Sequence, residues 1–223
     1  MGPFYLIYHP HRSKKQIGDL IVYHDEFGGN EDPYIWNKKF LHTYCHITQL
    51  SNNVEQVNFW VSGYPTQKNF TGLFCDCVFY IKEKIYWGDS SKINLNDPLV
   101  DNEQTFEHHY KWANSQYKYH KLTRRRRYTL KANPKTSFQP QDGKGNLINI
   151  LPFLNKNGLN TEFLIESFKA GVGSRPYKLD DKIGQKLYEY LSKDDKVKLY
   201  GKDLAKKHPN GSKFLKSNNS KCR

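Results

Sequence analysis

The first hundred residues alternate short apolar and aromatic runs with turn-forming clusters, a pattern of strands and not of long helices. "FYLIYH" ends at Pro10 and "GDLIVYH" follows a short basic connection, so the two are expected to pair as neighbouring strands. "FLHTYCHITQL" and "EQVNFWVSGY" are two further apolar segments, the second read as a strand. "GLFCDCVFYIKEKIYWG" predicts a β-hairpin, because its β-branched and aromatic density disfavours a helix and the polar "KEK" separates the arms "LFCDCVFYI" and "IYW". Between these runs, "DEFGGNEDPYIW" has the Gly, Asn, Asp and Pro of a turn-rich loop.

Helical spacing enters after residue 100. "DNEQTFEHHYKWANSQY" offers Asp101 or Asn102 as N-cap and repeats Phe106, Tyr110, Ala113 and Tyr117 at helical intervals. An unbroken run of four arginines follows, then "YTL" as a short strand and "KANPKTSFQPQDGKGN" as a long turn-rich loop. "LINILPFL" is apolar but too short to assign. "NTEFLIESFKAGVGSRPY" predicts a helix stopped by Gly171 and Gly173. "LDDKIGQKLYEYLSK" predicts an amphipathic helix capped by Asp180 or Asp181, with Ile183, Leu187, Tyr190 and Leu191 on one face. The expected class is α+β: a mixed β-sheet from the first half packed with about three helices mainly from the second. Residues 1–208 are read as one domain, β-rich over 1–100 and basic and helix-containing over 101–208, with 209–223 a flexible basic tail. Any internal boundary would fall within residues 88–102.

Composition changes the picture mainly through charge. A chain of 223 residues can bury a core without staples, and four cysteines do not make a disulfide framework. No stretch has the apolar length of a membrane span and the N-terminus does not read as a signal peptide, so a cytoplasmic protein with no membrane partner is expected. The net charge of +13 is distributed unevenly. Residues 1–104 carry 9 Lys+Arg against 12 Asp+Glu, whereas residues 105–223 carry 26 against 10. Such an excess favours a polyanionic partner, because each cation placed on a phosphate releases counterions. Nucleic acid, DNA in preference to RNA, is therefore the expected partner. The oligomeric state is not readable.

Arg124, Arg125, Arg126 and Arg127 cannot all face one way on either a helix or a strand. Lys118, Lys121, Lys131 and Lys135 flank them, Tyr117, Tyr119 and Tyr128 are interleaved, and Arg175 lies further along. Cations tracking a phosphate backbone with aromatic faces stacking on bases would use such a mixture; a solvated connection is the alternative. His108 and His109 point about 100° apart on a helix, so one of them could act as a general base while the other packs or faces solvent.

Hydrolysis of DNA calls for metal-held carboxylates or an acid that positions water, and two sources of carboxylates stand out. Asp25 and Glu26 open the glycine-containing acidic loop, which also holds Glu31 and Asp32. Asp76 lies inside an apolar arm, where an unpaired charge is costly. Asp76 and Glu83 in "DCVFYIKEK" resemble the acids of PD-(D/E)xK nucleases, although Lys82 and Lys84 stand at the wrong offset for the acid-x-Lys pair and Glu83 falls in the expected hairpin turn. Asp32-Pro33-Tyr34 resembles a fragment of the water-activating segment of uracil-DNA glycosylases, without the rest of that pattern. Tyr34, Trp36 and Trp60 are candidates for a base pocket. His42, Cys45, His46, Cys75 and Cys77 could assemble a zinc site, since Cys75 and Cys77 at alternate positions are expected to share a strand face, but paired CxxC elements are absent.

The expectation is a DNA-acting hydrolase, a nuclease or a base-excising glycosylase, directed at foreign or modified DNA. A nuclease would call for a divalent metal and a glycosylase for no cofactor. A non-catalytic reader of nucleic acid or modified bases, and a basic protein-interaction module, are the alternatives.

Overall fold

The computed structural model describes residues 1–9, 13–24, 43–44, 54–63, 72–86, 128–133, 135–170 and 174–200. Its strands are β1 (Phe4–His9), β2 (Ser13–Ile17), β3 (Leu20–His24), β4 (Thr43–Tyr44), β5 (Val57–Ser62), β6 (Phe74–Tyr86), β7 (Tyr128–Ala132), β8 (Gln139–Gln141), β9 (Ile148–Asn149), β10 (Tyr177–Leu179) and β11 (Val197–Leu199). Three helices follow the first nine strands: α1 (Leu151–Lys156), α2 (Thr161–Ser167) and α3 (Asp181–Ser192).

The main sheet runs β10-β1-β5-β6-β7-β4, with β9 also paired to β6. β1 and β5 are parallel and the remaining pairs antiparallel, so the sheet is mixed and the fold α+β. The second half contributes β7, β9 and β10 to it, together with the helices.

β1 does not pair with β3, as the opening pattern suggests; it lies between β5 and β10. β3 pairs instead with β2, across a turn containing Gly18 at φ +62°. The expected hairpin around "KEK" is also replaced. Residues Phe74–Tyr86 form one 13-residue strand, and the polar triplet marks a β-bulge between Ile81 and Glu83. β-Branched and aromatic residues on both sides keep the chain extended through it, and the extra residue is absorbed at the bulge.

The long loop expected after β7 is largely the other edge of β6. From Tyr128 to Asn149 the chain makes one antiparallel pass along β6: Tyr128 opposite Tyr86, Ala132 opposite Ile81, Phe138 bridging Val78 and Ile148 opposite Cys75. Two excursions interrupt the pass. Where the ladder lapses, side chains replace it: Ser137 Oγ accepts from the Tyr80 N–H at 3.0 Å and Gln139 Nε2 donates to the Asp76 carbonyl at 3.0 Å. Continued past the Val78–Phe138 bridge, the ladder would ask Pro140 for an N–H that proline lacks, and Gln139 supplies the donor.

The second excursion holds the β2–β3 hairpin. Gln139 Oε1 accepts from the Tyr23 N–H and its Nε2 donates to the Tyr23 carbonyl, both at 3.0 Å, while Gln141 Nε2 donates to the Ile21 carbonyl at 2.8 Å. The intervening turn is closed by Asp142, whose carboxylate accepts from the Lys144 and Asn146 N–H groups. These bonds, those from Asn146 foremost, hold the Asp142 carboxyl below its ordinary pKa.

The helices cover one face of the sheet. Leu154 of α1, Leu164 of α2 and Leu187 and Leu191 of α3 pack with Phe4, Leu6, Val57, Phe59 and Val61 in one buried apolar cluster. Asn160 caps α2 through the Phe163 N–H, and Asp180 caps α3 through the N–H groups of Lys182 and Ile183. α2 stops at Ser167, short of the glycines expected to end it. Gly184 lets α3 approach closely: a Cβ there would stand 2.2 Å from the ring of Phe4.

Candidate functional site

Alternation along β1 and β5 sends every second residue to the face opposite the helices. The parallel register puts Tyr5 beside Asn58, Ile7 beside Trp60 and His9 beside Ser62. Across the next pair, Asn58 faces Phe79, Trp60 faces Cys77 and Ser62 faces Phe74. In an ordinary half-exposed sheet such a row of polar and aromatic residues would meet water. Here Asn58 is 0% exposed, Trp60 3% and Ser62 6%. Gln56, at the entry to β5, is buried as well.

Asp76 sits in the middle of this arrangement. Cys77 pairs with Trp60 and Cys75 with Val61, which leaves Asp76 as the extra residue of a bulge. It is 0% exposed, on a strand flanked by neighbours on both edges. Burying a carboxylate disfavours folding unless the site compensates it, and bulges are concentrated beside active sites because they re-aim a side chain. Two residues singled out by type alone, Trp60 and Asp76, are therefore brought together on adjacent strands. Asn58, Ser62 and Gln139 were missed. "VNFWVS" reads as an apolar strand with a solvated alternate face, and only the burial of all six residues reveals otherwise.

The bulge separates the two cysteines. Cys75 belongs to the cluster beneath the helices, whereas Cys77 lies opposite Trp60 of the other face, so they do not share the face that a joint zinc site requires. The two acids of the nuclease-like stretch are likewise on one strand, with Glu83 in β6 opposite Lys131 of β7, and not on neighbouring strands. Among the described residues no group of three His, Cys, Asp or Glu side chains is placed to hold a metal ion.

The remaining candidates are dispersed or lie outside the described residues. Lys131 is in β7, between Glu83 of β6 and Thr43 of β4, and Tyr128 begins β7 opposite Tyr86. Lys135 is exposed in the first excursion, its N–H bonded to Asn133 Oδ1. Arg175 is exposed just before β10. Asp25, Glu26, Tyr34, Trp36, the helix expected over 101–117 with His108, His109 and Tyr117, and Lys118, Lys121, Arg124, Arg125, Arg126 and Arg127 lie outside the described residues, as do His42, Cys45, His46 and the tail.

Charge divides along the same line. The described residues of the second half carry 12 Lys+Arg against 8 Asp+Glu. Residues 105–127 carry 7 against 1, and residues 201–223 again 7 against 1. The positive excess of the second half thus lies mainly in residues 105–127 and 201–223, and the described residues between them are nearer to balance. Inside that body, Tyr8 donates to the Gly63 carbonyl at 3.1 Å, and burial pushes its hydroxyl pKa up to about 12. No helix among the described residues is long and apolar enough to cross a membrane. No protein-family model, no curated protein and no solved structure matches this chain.

Proposed function

We propose that the protein is a hydrolase acting on DNA, foreign or base-modified, in which the two basic segments hold the phosphate backbone and the mixed face of the sheet receives a base. The observation that carries this reading is the placement of Asp76: a carboxylate with no exposed surface, on a bulge beside the Trp60–Cys77 pair, in a sheet that also buries Asn58 and Ser62. An indole face stacks on any base, amide and hydroxyl groups read its polar edge, and a carboxylate can position or activate water. A ligand reaches this face only if the face opens, as enzymes that extrude a base from the stack require of their pockets. Excision of a base fits one carboxylate better than strand cleavage does, since a nuclease metal would have to draw ligands from beyond the described residues.

The test incubates the purified protein with unmodified and base-modified DNA, with and without magnesium, and splits each sample for alkaline treatment before denaturing electrophoresis. Breaks that appear only after alkali are expected, and they identify abasic sites. Direct breaks requiring magnesium would move the reading to a nuclease. DNA that shifts on a native gel yet stays intact would overturn the hydrolase and leave a reader of nucleic acid.

A further inference from the structure

The β2–β3 hairpin is a two-stranded sheet of its own, and among the described residues it docks on the body without a main-chain ladder. β3 pairs with β2 along one edge. Along the other, the Tyr23 N–H and carbonyl and the Ile21 carbonyl are bonded to the side-chain amides of Gln139 and Gln141. The Tyr23 hydroxyl adds a bond to the Gly145 carbonyl at 3.2 Å. An undocked hairpin would therefore keep its own ladder, and water can replace each of these docking bonds.

The docking lies on the mixed side of the sheet. Phe138 packs in the cluster beneath the helices, so Gln139, the next residue of an extended chain, turns to the other side. The amide that holds Tyr23 also donates to the Asp76 carbonyl, so a single side chain separates the hairpin from the bulge. Val22, between the two docked residues, is 1% exposed yet is not part of the helix-covered cluster.

We infer that the β2–β3 hairpin is a lid at the mixed face, latched by the amides of Gln139 and Gln141, and that its undocking opens the edge beside Asp76. The inference rests on the reading that this face receives a base, which requires the face to open, and it names the element that moves. The helices on the opposite face are held by apolar side chains and have no such latch. Because Gln139 bonds both Tyr23 and the Asp76 carbonyl, closure of the lid and the shape of the bulge are set by one residue.

Cysteine alkylation tests the lid, since Cys77 lies opposite Trp60 on the mixed face and Cys75 lies beneath the helices. The full-length protein is treated with iodoacetamide under native conditions, and tandem mass spectrometry gives a rate for each cysteine. Cys77 is expected to react about tenfold faster than Cys75 or more, because a local opening is more frequent than an opening of the core. A Cβ at Gly145 would stand 3.4 Å from the Cβ of Ile21, close to the roughly 3.8 Å of a disulfide, so Ile21→Cys with Gly145→Cys can lock the hairpin down. Oxidising this pair should slow Cys77 about tenfold relative to the same protein kept reduced, a comparison that also controls for a side chain at the +76° φ of residue 145. Tyr23→Phe removes a docking bond without touching β6, and should speed Cys77 about threefold with Cys75 unchanged.

Equal rates for the two cysteines in the wild-type protein, or a Cys77 rate that the lock does not slow, would overturn the lid and leave the proposed function to its own assay. If the locked protein does not fold, Tyr23→Phe decides: an unchanged Cys77 rate overturns the lid. Base excision should be lost in the oxidised pair and restored by dithiothreitol. An unlocked protein without excision would overturn the proposed function, while the alkylation rates would still decide whether the hairpin opens.

Discussion

The two faces of the sheet are both buried and yet differ in kind. Beneath the helices Phe4, Leu6, Val57, Phe59, Val61 and Val78 have no polar atom in their side chains, and Tyr8 and Cys75 join them with a hydroxyl and a thiol. The opposite face has Tyr5, Asn58, Trp60, Ser62 and Cys77, with Asp76 on the bulge between the two registers. Apolar burial is non-directional and tolerates repacking, whereas each buried amide, hydroxyl or carboxylate needs a partner and stabilises the fold less than an aliphatic side chain of the same size. One face therefore accounts for the fold by itself. The other is built at a cost that a purely structural sheet would avoid, which is why it is the better place to look for chemistry.

The difference can be broken first on the apolar face. Leu187→Ala removes a fully buried side chain from α3 and is expected to destabilise by about 2–5 kcal/mol, read as a lowered urea midpoint with unchanged m-value. Gly184→Ala is expected to destabilise by about 1–3 kcal/mol through overpacking, because its new Cβ would collide with Phe4. If either variant were as stable as wild type, the helix-covered face would not be the core that holds the fold.

On the mixed face the expected order reverses, with function more sensitive than stability. Asp76→Asn keeps the shape and removes the charge, and should lower base excision by about 10²-fold or more. Trp60→Phe should weaken substrate binding while leaving a cooperative unfolding transition. A full loss of folding in Asp76→Asn, with no activity in the wild-type protein either, would assign the carboxylate to structure alone.

Much of the apolar face was legible in the sequence. "FYLIYH" and "VNFWVS" are strands where β-branched and aromatic runs place them, and Asp180, one of the two expected caps, caps α3. What failed shares one physical reason: pairing partners distant in sequence decide between turn and strand. "KEK" looks like a turn until β7 pairs beside it, and "NPKTSFQPQDGKGN" looks like a solvated loop until β6 takes it as a neighbour. Ser137 and Gln139 are buried there because they substitute for ladder bonds to β6, and Gln141 because it holds the Ile21 carbonyl of the hairpin. Trp60 and Asp76 stood out by residue type, while Asn58 and Ser62 did not, since alternation on a strand ordinarily assigns such positions to water.

Gln139 joins the two regions and gives a smaller, local effect. Its amide makes bonds to Tyr23 N–H, the Tyr23 carbonyl, the Asp76 carbonyl and Gln141, and Gln139→Leu would leave the first three groups without them. A loss of about 1–3 kcal/mol is expected. Hydrogen exchange should locate it, with the Tyr23 amide losing protection while the amides of β5 keep theirs. Equal loss across both strands would mean that the hairpin and the sheet open as one unit.

The mildest test uses alkali to compare what burial does on the apolar side. Tyr8 stacks on Phe168 with ring centroids 4.9 Å apart, and burial raises its pKa from 10.0 to about 12. Because the folded value lies above the unfolded one, the folded state favours the neutral phenol. That contribution is complete below pH 10 and is lost as pH rises towards 12. Tyr188 is shifted in the same direction, again chiefly by burial, so it adds to the same alkaline loss. Thermal melts between pH 9 and 12 should therefore fall less steeply for Tyr8→Phe than for wild type, and the two curves should run parallel below pH 9. Curves that stay parallel throughout would show that the Tyr8 hydroxyl reaches water when folded, and the hydrogen bond to Gly63 would then be a surface contact instead of part of the sealed end of the core.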